Sequence, residues 1–247
     1  MPDVSRETPS TPDAARRAFP SGRLDLAERF AEILATDGVV RGLIGPREAP
    51  RLWERHLLNC AAVAAGLPEA SAVCDIGSGA GLPGLVLAIA RPDLRVELVE
   101  PLLRRTTFLT ETVAALGLDN VTITRARAEA LHGERQFDIV TSRAVAPLGR
   151  LLEWSMPLVG PHGALVAMKG SSVAAEIDEA AQVVGRLGCA PPQVIDLPGP
   201  DDWSTTRVVR VVWAEPARVS LPRVSGSPKG RGKARRSGAT AKRRRPT

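Results

Sequence analysis

Asp75-Ile76-Gly77-Ser78-Gly79-Ala80-Gly81-Leu82-Pro83-Gly84 is the stretch from which the fold is read. A short apolar run, Val73 to Ile76, leads into it. A helical pattern from Pro83 to Ala90 leads out, with Pro83 at a first-turn position where proline is tolerated. In a doubly wound sheet, such a turn lies at the carboxyl end of the first strand, where ligands bind. Glycines there permit positive φ and let a ligand approach the backbone closely.

Working outward, strands and helices alternate. Val96 to Val99 reads as a strand, Pro101 to Leu116 as a helix stopped by Gly117, and Val121 to Thr124 as a strand. Phe137 to Thr141 is a strand and Pro147 to Leu158 a helix. Gly163 to Met168 is a strand entered through a Pro161-His162-Gly163 turn, and Val173 to Leu187 a helix. The last strands, Gln193 to Leu197 and Arg207 to Trp213, have no helix between them and can pair as a hairpin. This order predicts an α/β fold of the Rossmann-like type, a mostly parallel seven-stranded sheet with an antiparallel edge. Two further helices precede it, one over Leu24 to Leu34 ending near Gly38, and one carrying Trp53, Leu57, Cys60, Ala61 and Ala64. The expected organisation is a flexible lead (1–20), one domain (21–222, with helices at 21–70 and the Rossmann-like core at 71–214), and a disordered basic tail (223–247).

The charge balance supports that division. The 247 residues carry a formal +6, yet residues 223–247 hold ten basic residues and no acid. The other 222 residues therefore hold 23 basic and 27 acidic residues, a net of −4. Aromatics are 3% with no tyrosine, which argues against modules that stack single-stranded bases on a sheet. No run of about 18 apolar residues predicts a membrane span, and Met1 to Arg17 lacks the apolar core of a secretory signal. Three dispersed cysteines (Cys60, Cys74, Cys189) suit a reducing cytoplasm, and neither they nor the three histidines have metal-ligand spacing. The expectation is a cytoplasmic monomer with no metal and no membrane partner.

Two ligand classes fit the glycine loop. Gly79-x-Gly81-x-x-Gly84 satisfies the dinucleotide fingerprint, which alone is weak. With Asp75 in front of it, the acid-x-Gly-x-Gly-x-Gly pattern resembles the first motif of class I S-adenosylmethionine-dependent methyltransferases. That resemblance implies a loop wrapped round the methionine part, with the acid helping to hold its ammonium group. Glu100, at the end of the next strand, can accept hydrogen bonds from both ribose hydroxyls, a device NAD enzymes share. It therefore marks a ribose without separating the two cofactors.

The wider pattern is more specific. Arg55-His56-Leu57-Leu58-Asn59, the loop with Leu82-Pro83-Gly84, Ser142-Arg143-Ala144 and Ala167-Met168-Lys169-Gly170 follow in order. Together they closely resemble the bacterial small-subunit ribosomal RNA guanine-N7 methyltransferase family, also known as the glucose-inhibited division protein B family. The resemblance spans roughly Leu24 to Trp213. It implies a class I methyltransferase fold with extra N-terminal helices, S-adenosylmethionine as cofactor, and methylation of a guanine N7 in the decoding-region hairpin of 16S ribosomal RNA. The partner is that RNA or the small-subunit particle. It also implies cofactor contacts at Gly77, Leu82, Ala128, Glu129 and Arg143, to which the motif adds Asp75, Gly79, Gly81 and Glu100. One departure stands out: Gly42-Leu43-Ile44 occupies the place of the family's frequent Asn-Leu-Thr.

Guanine N7 offers an in-plane lone pair and loses no proton on methylation, so no general base is demanded and alignment carries the catalysis. No nucleophile set and no Asn/Asp-Pro-Pro-Tyr/Phe motif is found. No catalytic residue is assigned. The substrate-positioning candidates are Arg127, Arg143 and Lys169 at strand ends, suited to phosphate or guanine O6, and His56 in the N-terminal helices. Ordinary readings stand beside these: surface cations for Arg127 and Lys169, a salt-bridged loop residue for Arg143, a helix-start acid for Glu129, and a buried, hydrogen-bonded histidine for His56. A methyltransferase with another substrate, a nicotinamide enzyme and a non-catalytic ribosome-assembly factor remain open at this level. If the ten-cation tail adds RNA affinity by counterion release, deleting residues 223–247 will leave cofactor binding intact and weaken RNA binding most at low salt. RNA titrations across salt concentrations check this, and an unchanged affinity and salt slope would refute it.

Overall fold

The computed structural model describes residues 10–199 and 205–219. Its centre is a seven-stranded sheet, β1 (Ala72–Ile76), β2 (Arg95–Val99), β3 (Val121–Thr124), β4 (Phe137–Arg143), β5 (Val159–Met168), β6 (Gln193–Pro198) and β7 (Thr205–Val211), in the order β3-β2-β1-β4-β5-β7-β6. Strands β1 to β5 pair in parallel, and β7 runs antiparallel to both β5 and β6. The expected mostly parallel sheet with an antiparallel edge is what forms. Val73, Cys74, Asp75 and Ile76 of the central β1 are all buried, which is why that strand reads as a continuous run and not as an alternation. The outer strands β3 and β6 keep half-exposed patterns.

Among the described residues, seven α-helices accompany the sheet: α1 (Asp13–Ala18), α2 (Leu24–Ile33), α3 (Leu58–Ala65), α4 (Gly84–Ala90), α5 (Leu103–Leu116), α6 (Leu148–Ser155) and α7 (Val173–Leu187). They form two cores. Phe30, Leu57, Leu87 and Phe108 belong to the core that joins the N-terminal helices, α4 and α5 to the sheet. Leu148, Leu151, Leu152 and Val184 of α6 and α7 close the other. Burial of such side chains contributes roughly 1.5–3 kcal/mol each, so both layers are held by ordinary apolar packing.

Three expectations need correction. The lead is not structureless to residue 20: Asp13–Ala18 is a helix, with Ala14, Ala15 and Phe19 buried and Phe19 edge-on to the Trp53 ring at 6.3 Å. Proline and charge dominated the reading of that stretch and hid its small apolar face. The Pro161-His162-Gly163 turn lies inside β5, not before it. Pairing passes from Phe137↔Val159 to Ile139↔Ala164, so β5 carries three extra residues there. Gly163 is required at that irregularity, because a Cβ would stand 2.6 Å from the Asp138 carbonyl. The N-terminal helices are also less regular than their spacing suggests, since wider five-residue turns occupy Leu34–Gly38 and Trp53–Leu57. The expected basic tail, 223–247, lies outside the described residues.

The sequence of strand neighbours reverses between β1 and β4. That switch point opens a crevice at the carboxyl ends of the strands, where ligands bind in open α/β sheets. No helix among the described residues is long and apolar enough to cross a membrane.

Candidate functional site

A cavity of about 700 Å³ fills that crevice. Its floor is the glycine loop. Gly77 donates its N–H to the Val99 carbonyl at 2.8 Å, and Gly81 to the Ser78 carbonyl at 2.7 Å. The loop is thus pinned to the ends of β1 and β2. Gly77 has φ +67°, and a Cβ there would stand 2.9 Å from the Val145 side chain. Gly77, Gly79 and Leu82 line the cavity. Gly81 does not; its α-carbon faces Leu85 and Leu109 of the core.

Asp75 stands behind the loop, fully buried and off the cavity wall. Its Oδ2 accepts the Gly84 N–H at 3.0 Å, fixing the start of α4. A Cβ on Gly84 would come within 2.7 Å of that oxygen. Asp75 therefore shapes the loop from beneath, and the structure does not place it in direct reach of a ligand ammonium. Its Oδ1 has no hydrogen-bond partner. Burial pushes its pKa up to about 7, the Gly84 bond only partly offsets this, and the nearby Glu100 charge adds to it.

Glu100 is on the cavity wall and 1% exposed. Its Oε2 accepts the Gly79 N–H at 3.0 Å and its Oε1 the Leu102 N–H at 3.0 Å. Arg105 lies 3.4 Å from Oε2. The carboxylate so ties the loop to the start of α5. An ionised carboxylate has about four acceptor sites, and these three bonds leave about one for a hydroxyl donor. Arg127, Ala128 and Glu129 form the facing wall after β3. Ala128 begins a short helical turn, Ala128–Leu131, whose first N–H groups have no partner within the turn. Among the described residues no group of three or more His, Cys, Asp or Glu side chains could hold a metal ion.

A second cavity of about 880 Å³ adjoins the first, and Arg143, Ala144 and Val145 are the wall they share. Ala144 has φ +52°, an uncommon conformation for a residue with a Cβ. Arg143 donates from Nη2 to the Arg55 carbonyl at 3.3 Å, while its Nη1 is buried without a partner. It is the one sequence candidate placed on both cavities.

His56 lines the first cavity but is 9% exposed, and its Nε2 lies 3.2 Å from Glu48 Oε2. Burial, followed by the Arg143 charge, pushes its pKa down to about 4. Against a desolvation cost, the His56 hydrogen bond and the Arg55 charge hold Glu48 below the ordinary carboxylate range. An ionised Glu48 only accepts, so Nε2 carries the proton and Nδ1 is a buried, unpartnered acceptor. His56 is therefore neutral near pH 7, and the buried, hydrogen-bonded reading describes it.

Lys169 lines the second cavity, but its ammonium is already engaged. It donates to the Ala146 carbonyl at 2.9 Å and to Glu176 Oε2 at 2.7 Å. The same Glu176 oxygen accepts the Leu148 N–H at 3.0 Å, and Oε1 accepts Ser172 Oγ at 3.1 Å. The expected role as a free cation for RNA is corrected to a clamp that seats the shared loop against α6 and α7. Arg127 is the opposite case, exposed and with no ion pair or side-chain hydrogen bond among the described residues. Glu48, Arg105 and Glu176 were not singled out from the sequence. Their only local signal is charge: Glu176 in the first turn of α7, and Arg105 five residues after Glu100.

Comparison with known proteins places the chain in a family. Residues 23–197 match the family described as rRNA small subunit methyltransferase G. A protein of Nocardioides sp. strain JS614 named "Ribosomal RNA small subunit methyltransferase G" is 65% identical, over 99% of each chain. The protein of that name from Streptomyces avermitilis is 49% identical over 96% of this chain and 98% of its own. Among solved structures, an S-adenosylmethionine-dependent O-methyltransferase from Thermotoga maritima aligns at TM-score 0.48 with 16% identity, covering 64% of this chain and 65% of that one.

Two outcomes follow from the buried charges. Lys169→Ala and Glu176→Ala will each cost about 1–3 kcal/mol, because each leaves a largely buried polar partner unpaired. The double variant will cost less than their sum. Denaturant unfolding of the four proteins checks this, and additive losses would refute the clamp. The second outcome concerns Asp75, whose folded-state pKa of about 7 lies above the ordinary 3.8. Its stabilising contribution is then complete below about pH 4 and is lost as pH rises through about 7. His56 contributes the opposite slope between about 4 and 6.5, so the informative quantity is the stability difference between wild type and Asp75→Asn. That difference will fall by up to about 4 kcal/mol across this window. A flat difference would show that Asp75 is ionised throughout.

Proposed function

Because the chain belongs to the rRNA small subunit methyltransferase G family, we propose that it methylates N7 of a guanine in 16S ribosomal RNA, using S-adenosylmethionine. The site is cytoplasmic in this reading. The working unit in this reading is a monomer. The substrate is the RNA or the small-subunit particle that contains it. The carrying observation is the pair of adjoining cavities that share the Arg143–Val145 wall, one built on the glycine loop and the other open beside it.

The residues present fit the cofactor. The glycine loop is a cradle that a Cβ at Gly77 would fill. Glu100 faces a ribose hydroxyl from the cavity wall, and the free N–H groups of the Ala128–Leu131 turn suit an adenine edge. Bound there, S-adenosylmethionine supplies an electrophilic methyl group on a sulfonium sulfur. The residues of this chain bind and orient. The guanidinium of Arg143, on the wall between the cavities, is suited to guanine O6, the neighbour of N7. Its placement sets the angle at which a base enters. The Lys169–Glu176 clamp and the Arg143 bond to the Arg55 carbonyl hold that wall in place, so little reorganisation is left for the reacting complex.

N7 attacks with a lone pair, and the positive charge passes from sulfur to the purine without any proton leaving. No residue is then required as a base. Neutral His56, with Nε2 committed to Glu48, is consistent with a positioning part.

Methyl transfer from labelled cofactor to small-subunit ribosomal RNA tests the reading, with mass spectrometry of RNA digests locating the methyl. Label on guanine N7 is expected. Label on another atom would overturn the N7 assignment, and an unlabelled RNA would overturn the function. Glu100→Ala will raise the S-adenosylhomocysteine Kd by roughly tenfold or more, from one lost hydrogen bond to a charged group.

A further inference from the structure

We propose that the arginines round the mouth of the first cavity, at the start of α5 and on the loop after β3, dock the phosphate backbone of the RNA. This rests on the functional reading above and adds the surface on which the substrate lies.

The argument starts from charge. Residues 1–222 hold 23 basic and 27 acidic residues, so carboxylates outnumber cations. Many of the arginines are accordingly paired: Arg41 with Glu111, Arg91 with Asp93, Arg135 with Glu97, Arg186 with Glu153 and Arg207 with Asp196. Arg104, Arg125 and Arg127, like Arg47 and Arg95 elsewhere on the surface, depart from this pattern. All three are exposed, and none makes an ion pair or side-chain hydrogen bond among the described residues. They also converge. β2 and β3 are neighbours, and the Glu100 N–H donates to the Thr124 carbonyl at 3.2 Å, so the segment that leads into α5 and Arg104 and the loop carrying Arg125 and Arg127 leave the sheet side by side.

Arg104 is badly placed for stability. It sits in the first turn of the fourteen-residue α5, which has no acid there, although a helix start favours negative charge. The Glu100 carboxylate already takes the Leu102 N–H at that helix start, so the attraction for an external anion rests on the guanidinium itself. Beside it Leu102 and Leu103 are 44% and 59% exposed, apolar surface left uncovered at the rim of a charged mouth. A free guanidinium presents a planar fork that matches phosphate oxygens two at a time. Phosphate contacts set register and orientation without reading bases, which suits a chain poor in aromatics for stacking. The role of the surface is therefore to hold a folded RNA in register while one base enters the second cavity.

Single charge reversals test this. Arg104→Glu and Arg125→Glu change residues off the cavity wall, and Arg95→Glu makes the same change at the opposite end of β2, where the side chain is also exposed and unpaired. Binding is read by fluorescence anisotropy with a labelled 16S ribosomal RNA fragment across salt concentrations, and the fold is monitored by S-adenosylhomocysteine titration. Arg104→Glu and Arg125→Glu are expected to weaken RNA binding roughly fivefold or more at low salt. Each should also reduce the slope of log K against log salt by about one. In methyl-transfer assays KM for RNA rises while kcat holds. Arg95→Glu stays within about twofold of wild type. Equal losses at Arg95 would mean that bulk charge alone matters, and no loss at Arg104 and Arg125 would remove the surface; either overturns the proposal. A wild-type protein that binds RNA through these arginines but transfers no methyl would overturn the functional reading instead.

Discussion

One hydrogen bond lies under everything else in this molecule: the buried Asp75 carboxyl group holding the Gly84 N–H. It ends β1 and starts α4 in the same place, and between them the chain has only the glycine loop with which to turn. The bond works because nothing stands between its partners, Gly84 having no Cβ to interpose. The cost is a carboxyl group buried with one oxygen unpartnered and its pKa raised. A loop set from beneath in this way leaves its upper surface free for a ligand. Glu100 then fastens the loop from the side through Gly79, and also fixes the start of α5 through Leu102. Two acids, one hidden and one on the wall, thus define the cavity before any ligand enters.

The second cavity is built by a different device. Its shared wall, Arg143 to Val145, includes a residue with positive φ that is not glycine, and such a conformation persists only where its surroundings impose it. The surroundings are identifiable. Val145 leans on Gly77, Arg143 reaches the Arg55 carbonyl, and Lys169 takes the Ala146 carbonyl while its charge is neutralised by Glu176. The N-terminal helices, the glycine loop and α7 therefore all bear on one short segment. That explains why the chain has helices ahead of β1 at all: Arg55 and His56 come from them and complete the wall.

Much of this was legible in the sequence, and the part that was not has a common cause. Periodicity located the alternating elements because each buries its own face, and the glycine spacing located the first cavity because a tight turn is a local matter. Lys169 read as a free cation and His56 as an open question because their partners, Glu176 and Glu48, are seven and eight residues away and meet them only through tertiary packing. Asp75 read as a ligand contact because its motif position says nothing about which side of the loop its side chain takes. The lead was misread for a different reason. Composition averages over a segment, and three small or aromatic residues among prolines and charges suffice to anchor a helix when Trp53 waits beneath.

These corrections change what charge means in this protein. The whole-chain excess of cations comes from residues 223–247, and the remainder is acidic. Within that acidic remainder a cation's value depends on whether it is already spoken for. Lys169 and Arg143 stand nearest the shared wall, yet the first is wholly committed to holding it and the second is partly so. Arg127 has no ion pair among the described residues and lines the first cavity, and Arg104 and Arg125 stand next to other residues of that lining. The molecule so separates two tasks that a net charge cannot distinguish. Paired cations near the centre keep the reacting geometry fixed, which requires that they not be drawn away by a polyanion. Unpaired cations at the edge meet the polyanion first, where a loose and salt-sensitive grip is enough to deliver it in register.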